Sequence, residues 1–377
     1  MITFEHVKKS YGSEEVVKDL SFEIQSGELF VLIGLSGCGK TTTLRMINRL
    51  EDVTEGNILI DGMNILDKNV IELRRNMGYV IQQTGLFPHK TVEENITMIP
   101  ELEGVKLEER KKIAKKWMEM VGLPYESFKD RYPTELSGGQ SQRVGVARAL
   151  GTDPDIILMD EPFSALDPIT RSDLQDELIE LHRKTKKTIV FVTHDMDEAV
   201  KIGEKICIMD EGKILQLDTP EQILKNPENE FVSEFVGERR IWSNPEFIKV
   251  SDLMIRDVVT CSPEFTILQG LSKMQKHHVD SLMITERRSN QLLGMVTLKN
   301  ALLEKNKSEK LKAIAKDPDV VLKEGDTLPK VMDLFQSHDL SCAPVLDDNR
   351  ELVGLLTRSK LVYELSNQYK EQELWKS

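Results

Sequence analysis

Apolar positions fall into two regimes along the chain. In residues 1–235, short β-branched apolar runs at 29–33, 156–159, 188–193 and 205–209 alternate with longer stretches of helical composition. Such runs predict strands buried on both faces, the mark of a parallel sheet flanked by helices, so this half reads as α/β. Between Thr84 and about Leu150 the strand signal fades into helical composition, as in EERKKIAKKWMEMVG, and a helical insertion into the sheet is predicted. The spacing there turns Ile113, Trp117, Met118 and Val121 inward and leaves Lys111, Lys112, Lys115 and Lys116 on a solvated face.

Residues 237–250 (GERRIWSNPEFIKV) are polar, carry an Asn-Pro break, and separate this half from one with a different pattern. Beyond them the chain repeats itself. Ser281, Gly294 and Thr297 recur at one constant offset as Ser341, Gly354 and Thr357, so a tandem duplication is predicted. Each copy reads strand, helix, strand, strand, helix; DSLMITERRSNQLLGMVT aligns with LSCAPVLDDNRELVGLLT, two strands joined by a polar turn. The preceding helices space Ile267, Leu268, Leu271 and Met274, and then Leu328, Val331, Met332 and Phe335, to cover a sheet. The expected division is 1–236, a linker 237–249, repeats 250–307 and 308–366, and a frayed polar tail 367–377.

At 377 residues the chain fits two or three domains of ~100–200 residues each. No stretch approaches the ~18 apolar residues of a membrane helix. With 63 acidic against 50 basic residues the net charge is −13, which disfavours a diffuse grip on nucleic acid or anionic lipid and requires any phosphate to be held locally. The four cysteines, at 38, 207, 261 and 342, form no CxxC pair, and the start MITFEHVKKSYG lacks a signal-peptide core, so a cytoplasmic location is expected.

A local phosphate grip is present. Gly34-Leu-Ser36-Gly37-Cys38-Gly39-Lys40-Thr41-Thr42 fits G-x-x-x-x-G-K-[ST], follows the strand at 29–33 and opens a helical stretch containing Leu44, Met46 and Ile47. Glycines let successive backbone N–H groups turn toward phosphate oxygens, and the helix N-terminus adds partial positive charge. Lys40 is expected at the β- and γ-phosphates, Thr41 at Mg²⁺ and Thr42 at the α-phosphate. Mg²⁺ also calls for an acidic partner; the apolar run at 156–159 delivers Asp160 to a strand's carboxyl end, with Glu161 next to polarise the attacking water. A second anion-binding terminus follows: Leu136-Ser137-Gly138-Gly139-Gln140 stands just before the helical run QSQRVGVARAL.

With LSGGQ the sequence resembles the ATP-binding cassette (ABC) family over essentially all of residues 1–235. The resemblance implies a phosphate-loop domain of mixed and parallel sheet with a helical subdomain. It makes Gln82 in YVIQQTGLFPH the residue that senses γ-phosphate and Mg²⁺, in preference to Gln83. Asp167 in Ser164-Ala-Leu-Asp167 becomes part of the loop that signals across a dimer, His194 the switch at the γ-phosphate, and Tyr11 the aromatic stacked on adenine. It implies two copies sandwiching two ATP molecules, each between one phosphate loop and the partner's Ser137, Gly138, Gly139 and Gln140, with Glu161 as base. The stretches IQQ-x-GLFPH, ILMDEPF-x-ALDPITR and FVTHDMDEA resemble bacterial quaternary-amine and osmoprotectant importer ATPases. That group implies integral-membrane permease subunits, an extracytoplasmic substrate-binding protein or domain, peripheral attachment at the cytoplasmic face of the membrane, and cargo such as glycine betaine, choline, carnitine or betaine-like ergothioneine.

The duplicated half resembles a tandem CBS pair, an α+β module, over about 250–366. CBS pairs hold adenosine-containing ligands with a G-h-x-[ST]-x-x-D pattern, whose Asp grips ribose. Here the copies read Gly294-Met-Val-Thr297-Leu-Lys-Asn300 and Gly354-Leu-Leu-Thr357-Arg-Ser-Lys360, and the Asp is absent from both. Asn300 keeps hydrogen-bonding capacity toward a ribose hydroxyl, whereas Lys360 only donates, which suits a phosphate. Regulation by cyclic di-AMP or ionic strength and plain dimerisation both remain open for this module. Alternatives are an amino-acid or other small-solute importer with a dimerising CBS pair, an exporter ATPase, and a cassette of translation or repair. The last requires two cassettes or a coiled coil that splits one; no nucleic-acid partner is expected.

Overall fold

A computed structural model describes residues 1–82, 84–237, 240–286 and 289–374, so Gln83, the second glutamine of the QQ pair, lies outside the described residues. The chain forms two compact units, Met1–Gly237 and Glu238–Ser377. No helix among the described residues is long and apolar enough to cross a membrane.

The first unit contains strands β1 (Ile2–Tyr11), β2 (Glu14–Ile24), β3 (Leu29–Gly34), β4 (Glu55–Ile60), β5 (Met63–Asn64), β6 (Met77–Val80), β7 (Ile156–Asp160), β8 (Thr188–Thr193), β9 (Lys205–Asp210) and β10 (Lys213–Asp218). Six of them form a sheet in the order β10-β9-β3-β8-β7-β6, parallel except for the antiparallel edge pair β10–β9. Every residue of β3, β7 and β8 is buried, which is why these runs carry no polar alternation. Because β3, β8 and β7 are adjacent and parallel, their carboxyl ends share one edge of the sheet, where ligands collect in open α/β folds.

The pattern of apolar runs did not announce a second, antiparallel sheet, β2-β1-β4-β5. Its strands are amphipathic and interrupted by register shifts between β1 and β2. Phe4 and Phe22 from this sheet stack at 4.3 Å, and Phe22 meets Phe30 of β3 at 5.5 Å, tying the two sheets into one core. The helix Lys40–Ile47 buries Leu44, Met46 and Ile47 in that core. Residues 84–150 form the expected helical part, with helices at Val92–Ile96, Met98–Leu102, Leu107–Met120, Tyr125–Phe128 and Gly138–Ala149. Ala114, Trp117 and Met118 face inward, and Lys111, Lys112, Lys115 and Lys116 pair with Glu108, Glu109, Glu119 and Asp153 on the solvent side.

In the second unit the first repeat forms β11 (Thr260–Cys261), β12 (Ser281–Thr285) and β13 (Leu292–Thr297), and the second forms β14 (Cys342–Leu346) and β15 (Leu352–Thr357). The opening strand expected of the second copy shrinks to one bridge, Leu322 with Val345. Each repeat has its own core, and Met283, Cys342, Leu346 and Leu352 form a further cluster shared by both. Ile241, Trp242 and Ile248, in the segment whose polarity suggests a linker, pack onto the core of the second repeat. The final helix runs Arg358–Leu374, well past the point where the apolar pattern stops.

Candidate functional site

The phosphate loop leaves β3 at Gly34 and enters the helix Lys40–Ile47 through Gly39, which caps it in the left-handed region at φ 102°. A Cβ there would sit 2.9 Å from Val16 O, so both conformation and space demand glycine. Leu35, Ser36 and Gly37 are exposed and Cys38 and Lys40 are buried. Lys40 is 5% exposed and its Nζ donates to Gly34 O (2.8 Å) and Leu35 O (2.9 Å), which holds the ammonium inside the loop. Thr41 Oγ1 donates to Asp160 Oδ1 at 2.8 Å, joining phosphate loop and acidic strand end across the sheet.

Asp160 is 6% exposed. Burial pushes its carboxyl above the ordinary carboxylate range, and the charge of Glu161 acts the same way, against the Thr41 hydroxyl and the cations Arg45 and Lys40. Glu161 leaves β7 with φ 45°, rare for a residue with a side chain, held by its N–H donating to Val192 O and its carbonyl accepting from Ser164 Oγ at 3.0 Å. This turn brings its Oε2 to 3.0 Å from His194 Nδ1, at the end of neighbouring β8. Gln82 Nε2 donates to Ser164 Oγ at 3.3 Å and so joins the same group.

Lys40, Thr41, Asp160, Glu161, His194 and Gln82 therefore converge. Thr42 lies one position further on the same helix, and Tyr11 at the end of β1 stands 45% exposed with Lys9 Nζ 4.7 Å from its ring centre. The Tyr11 hydroxyl is pushed up mainly by burial and by Glu51, while Thr42 acts in the opposite sense. Ser137 and Gly138 are exposed at the start of the helix Gly138–Ala149, where Ser137 Oγ accepts from Gln140 N (3.3 Å) and Gln140 Oε1 from Ser137 N (3.0 Å). Gly139 is buried; its Cβ would lie 2.6 Å from Thr170 Cγ2. Exposed Asp167 caps the helix Pro168–Thr185, its Oδ1 accepting from Thr170 N at 3.1 Å.

Sequence reasoning missed two groups. Arg45 Nη2 lies 3.8 Å from Asp160 Oδ2; its i+4 spacing from Thr41 on one helix face was a usable signal. A buried polar set behind His194, formed by Thr193, Glu198 and Gln175, left no signal, because Gln175 is distant in sequence.

In the second unit, a cleft of about 700 Å³ takes lining from both repeats, including Asp257, Asp280, Thr297, Ser341, Thr357 and Ser359. Thr297 and Thr357 thus face a cavity, while also capping helices through Asn300 N and Lys360 N. Asn300 and Lys360 are absent from its lining, and Lys360 Nζ pairs with Glu364 at 2.5 Å. Gly294 and Gly354 serve packing: a Cβ would lie 2.9 Å from Lys316 O in one and 2.4 Å from Met254 Sδ in the other.

Comparison with known proteins gives consistent matches. The ABC transporter family model matches residues 17–164, and the CBS domain model matches residues 250–305 and 311–367. The glycine betaine/carnitine/choline transport ATP-binding protein OpuCA of Bacillus subtilis (strain 168) is 44% identical over 96% of this chain and 95% of its own length. The osmoprotectant import ATP-binding protein OsmV of Salmonella typhimurium is 38% identical over 97% of this chain and 95% of its own. Among solved structures, the dimeric bacterial ABC transporter cassette MJ0796 superposes with a TM-score of 0.53 and 36% identity, covering 58% of this chain and 99% of the cassette.

Proposed function

From the chain's membership of the ABC transporter ATPases, in the osmoprotectant-importer group that carries a CBS pair, we propose that it energises uptake of a quaternary-amine solute through a separate permease. Glycine betaine, carnitine and choline, named for its relatives, are the cargo to test first. The observation that carries the reading is the meeting of Thr41, Asp160, Glu161 and His194 at the shared edge of β3, β7 and β8.

Two copies enclose two ATP molecules, each held by one phosphate loop and by the partner copy's signature helix, whose exposed first residues Ser137 and Gly138 are free to meet a second chain. Lys40 neutralises phosphate charge from inside the loop. Glu161 takes a proton from the attacking water, and His194, held beside it, stabilises the transferred phosphoryl group. Mg²⁺ fits this donor set: Asp160 is a buried carboxylate whose charge is only partly offset, the Thr41 hydroxyl is bonded to it, and Gln82 bonds to Ser164, whose hydroxyl donates to the backbone carbonyl of neighbouring Glu161. A bound Mg²⁺, held by Asp160 and Thr41, would supply neutralisation of phosphate charge. After cleavage the attraction that bridges the two copies is lost, they separate, and the permease resets.

The subunit sits peripherally at the cytoplasmic face of the membrane, works with an extracytoplasmic substrate-binding component, and carries in its CBS pair a dimer contact and a regulatory cleft. Cyclic di-AMP is the first ligand to titrate there; calorimetry of the full chain against a panel of adenine nucleotides, with no heat from any of them, would leave dimerisation as the module's role. The transport reading is tested by uptake of labelled glycine betaine, carnitine and choline in cells that depend on this chain. Lys40→Ala is expected to abolish accumulation, and uptake equal to the parent would overturn the reading.

A further inference from the structure

Behind the catalytic edge, two helices meet through an unusual set of side chains. The helix Pro168–Thr185 starts at Asp167 of the signalling loop, and the helix Met196–Ile202 starts just after His194. Arg171, Ser172, Gln175 and Asp176, on one face of the first, meet Asp195, Glu198 and Lys201 of the second. Arg171 Nη1 lies 3.5 Å from Asp195 Oδ2, while its Nη2 donates to Leu166 O at 3.1 Å, the residue just before Asp167. Gln175 Nε2 donates to Glu198 Oε1 at 3.1 Å, and Thr193 Oγ1 donates to Glu198 Oε2 at 2.5 Å. The same Thr193 hydroxyl accepts from Asp195 N at 3.0 Å. Both backbone neighbours of His194 are therefore tied to one helix, and that helix is tied to the signalling loop.

This seam is polar where it is most buried. Glu198 and Gln175 are 6% and 7% exposed, and burying a carboxylate against an amide is a poor route to stability compared with apolar packing of similar volume. Hydrogen bonds between fixed partners are directional instead, so a shift of one segment changes the geometry of the bond its partner makes. We infer that Arg171 and Gln175 are positioning residues that couple the Asp167 loop to the imidazole of His194, so that docking of a second copy on that loop sets the hydrolytic geometry. The coupling rests on the roles given above to Asp167 and His194, and it adds a mechanical link inside one chain between the dimer surface and the reacting phosphate.

The test is steady-state hydrolysis of magnesium ATP by the purified full-length chain. Arg171→Ala is expected to lower kcat about tenfold with KM for ATP within about twofold, because geometry and not ground-state binding is disturbed. Arg171→Lys keeps a charge beside Asp195 but cannot also reach Leu166 O; it is expected to show the same split at an unchanged melting temperature, which guards against a folding defect in the alanine variant. In the double variant Asp167→Ala/Arg171→Ala, the loss is expected to stay within about twofold of the larger single loss, as for residues acting in one unit. A kcat within about twofold of the parent for both Arg171 variants, or losses that multiply in the double variant, overturns the coupling. Full activity of Asp167→Ala and His194→Ala alone would instead remove the assignment of the two ends.

Discussion

Replacing Glu161 by glutamine isolates the chemical step from everything else at the site. The residue stands at φ 45° after β7, fixed by its N–H to Val192 O and by Ser164 on its carbonyl. Glutamine has the same shape and the same backbone demands, so the strained turn and the fold are expected to persist. What disappears is a carboxylate 3.0 Å from His194, only 22% exposed, and thus little screened by water. A positioned general base contributes about 10²–10⁴-fold, equivalent to roughly 2.7–5.4 kcal/mol in the barrier. Glu161→Gln is expected to bind ATP as the parent does, to release phosphate slower by that factor, and to accumulate as a closed dimer, since the bridging triphosphates persist. Single-turnover phosphate release with magnesium ATP, paired with size-exclusion chromatography in the presence of ATP, reads both effects. A rate within about threefold of the parent would show that another group takes the proton and would refute the assignment.

Three further outcomes follow from the packing. In Gly34→Ala the new Cβ would lie 2.0 Å from Met209 O and 2.8 Å from Cys38 Sγ, so backbone must move; a loss of about 1–3 kcal/mol or more in urea unfolding, with weakened ATP binding, is expected, and an unchanged midpoint would contradict the tight contact. All four cysteines are buried and burial pushes the Cys38 and Cys207 thiols up, so iodoacetamide at neutral pH should label none of them in the native chain and all in urea; fast modification of Cys38 would show that the loop opens readily. Burial raises the Glu198 carboxyl above its ordinary 4.5, against the Thr193 and Gln175 hydrogen bonds. The folded state then holds this proton more tightly than the unfolded one. Its contribution is fully present below pH ~4.5 and is lost as pH rises through the folded value, so melting of the parent should fall relative to Glu198→Gln over that interval, and parallel pH profiles would refute it.

Some of this was legible because it depends on neighbours a few positions apart. The glycine spacing of the phosphate loop, the uninterrupted apolar strands ending in Gly34, Asp160 and Thr193, and the Ser137 cap of the signature helix are local properties of the chain. The repeat in the second unit was legible as self-similarity, yet similarity of sequence did not ensure similarity of place. Thr297 and Thr357 line the cleft, while Asn300 and Lys360, assigned with them from one motif, do not, because a helical residue three positions on points according to the turn and not the pattern. The antiparallel sheet β2-β1-β4-β5 was missed, since half-exposed strands with register shifts leave no continuous apolar run.

The sequence by itself determined the chemical inventory: a phosphate-loop motif, a paired acid, a histidine after an apolar strand, the Ser137 helix start and a duplicated second half. Only the tertiary structure decided which of these meet. Thr41 reaches Asp160 across 119 positions, and Glu161 reaches His194 across 33, because β3, β8 and β7 pair side by side and in parallel. That order is set by burial of whole strands in a shared core, a free energy summed over many distant contacts, and no short window of residues carries it.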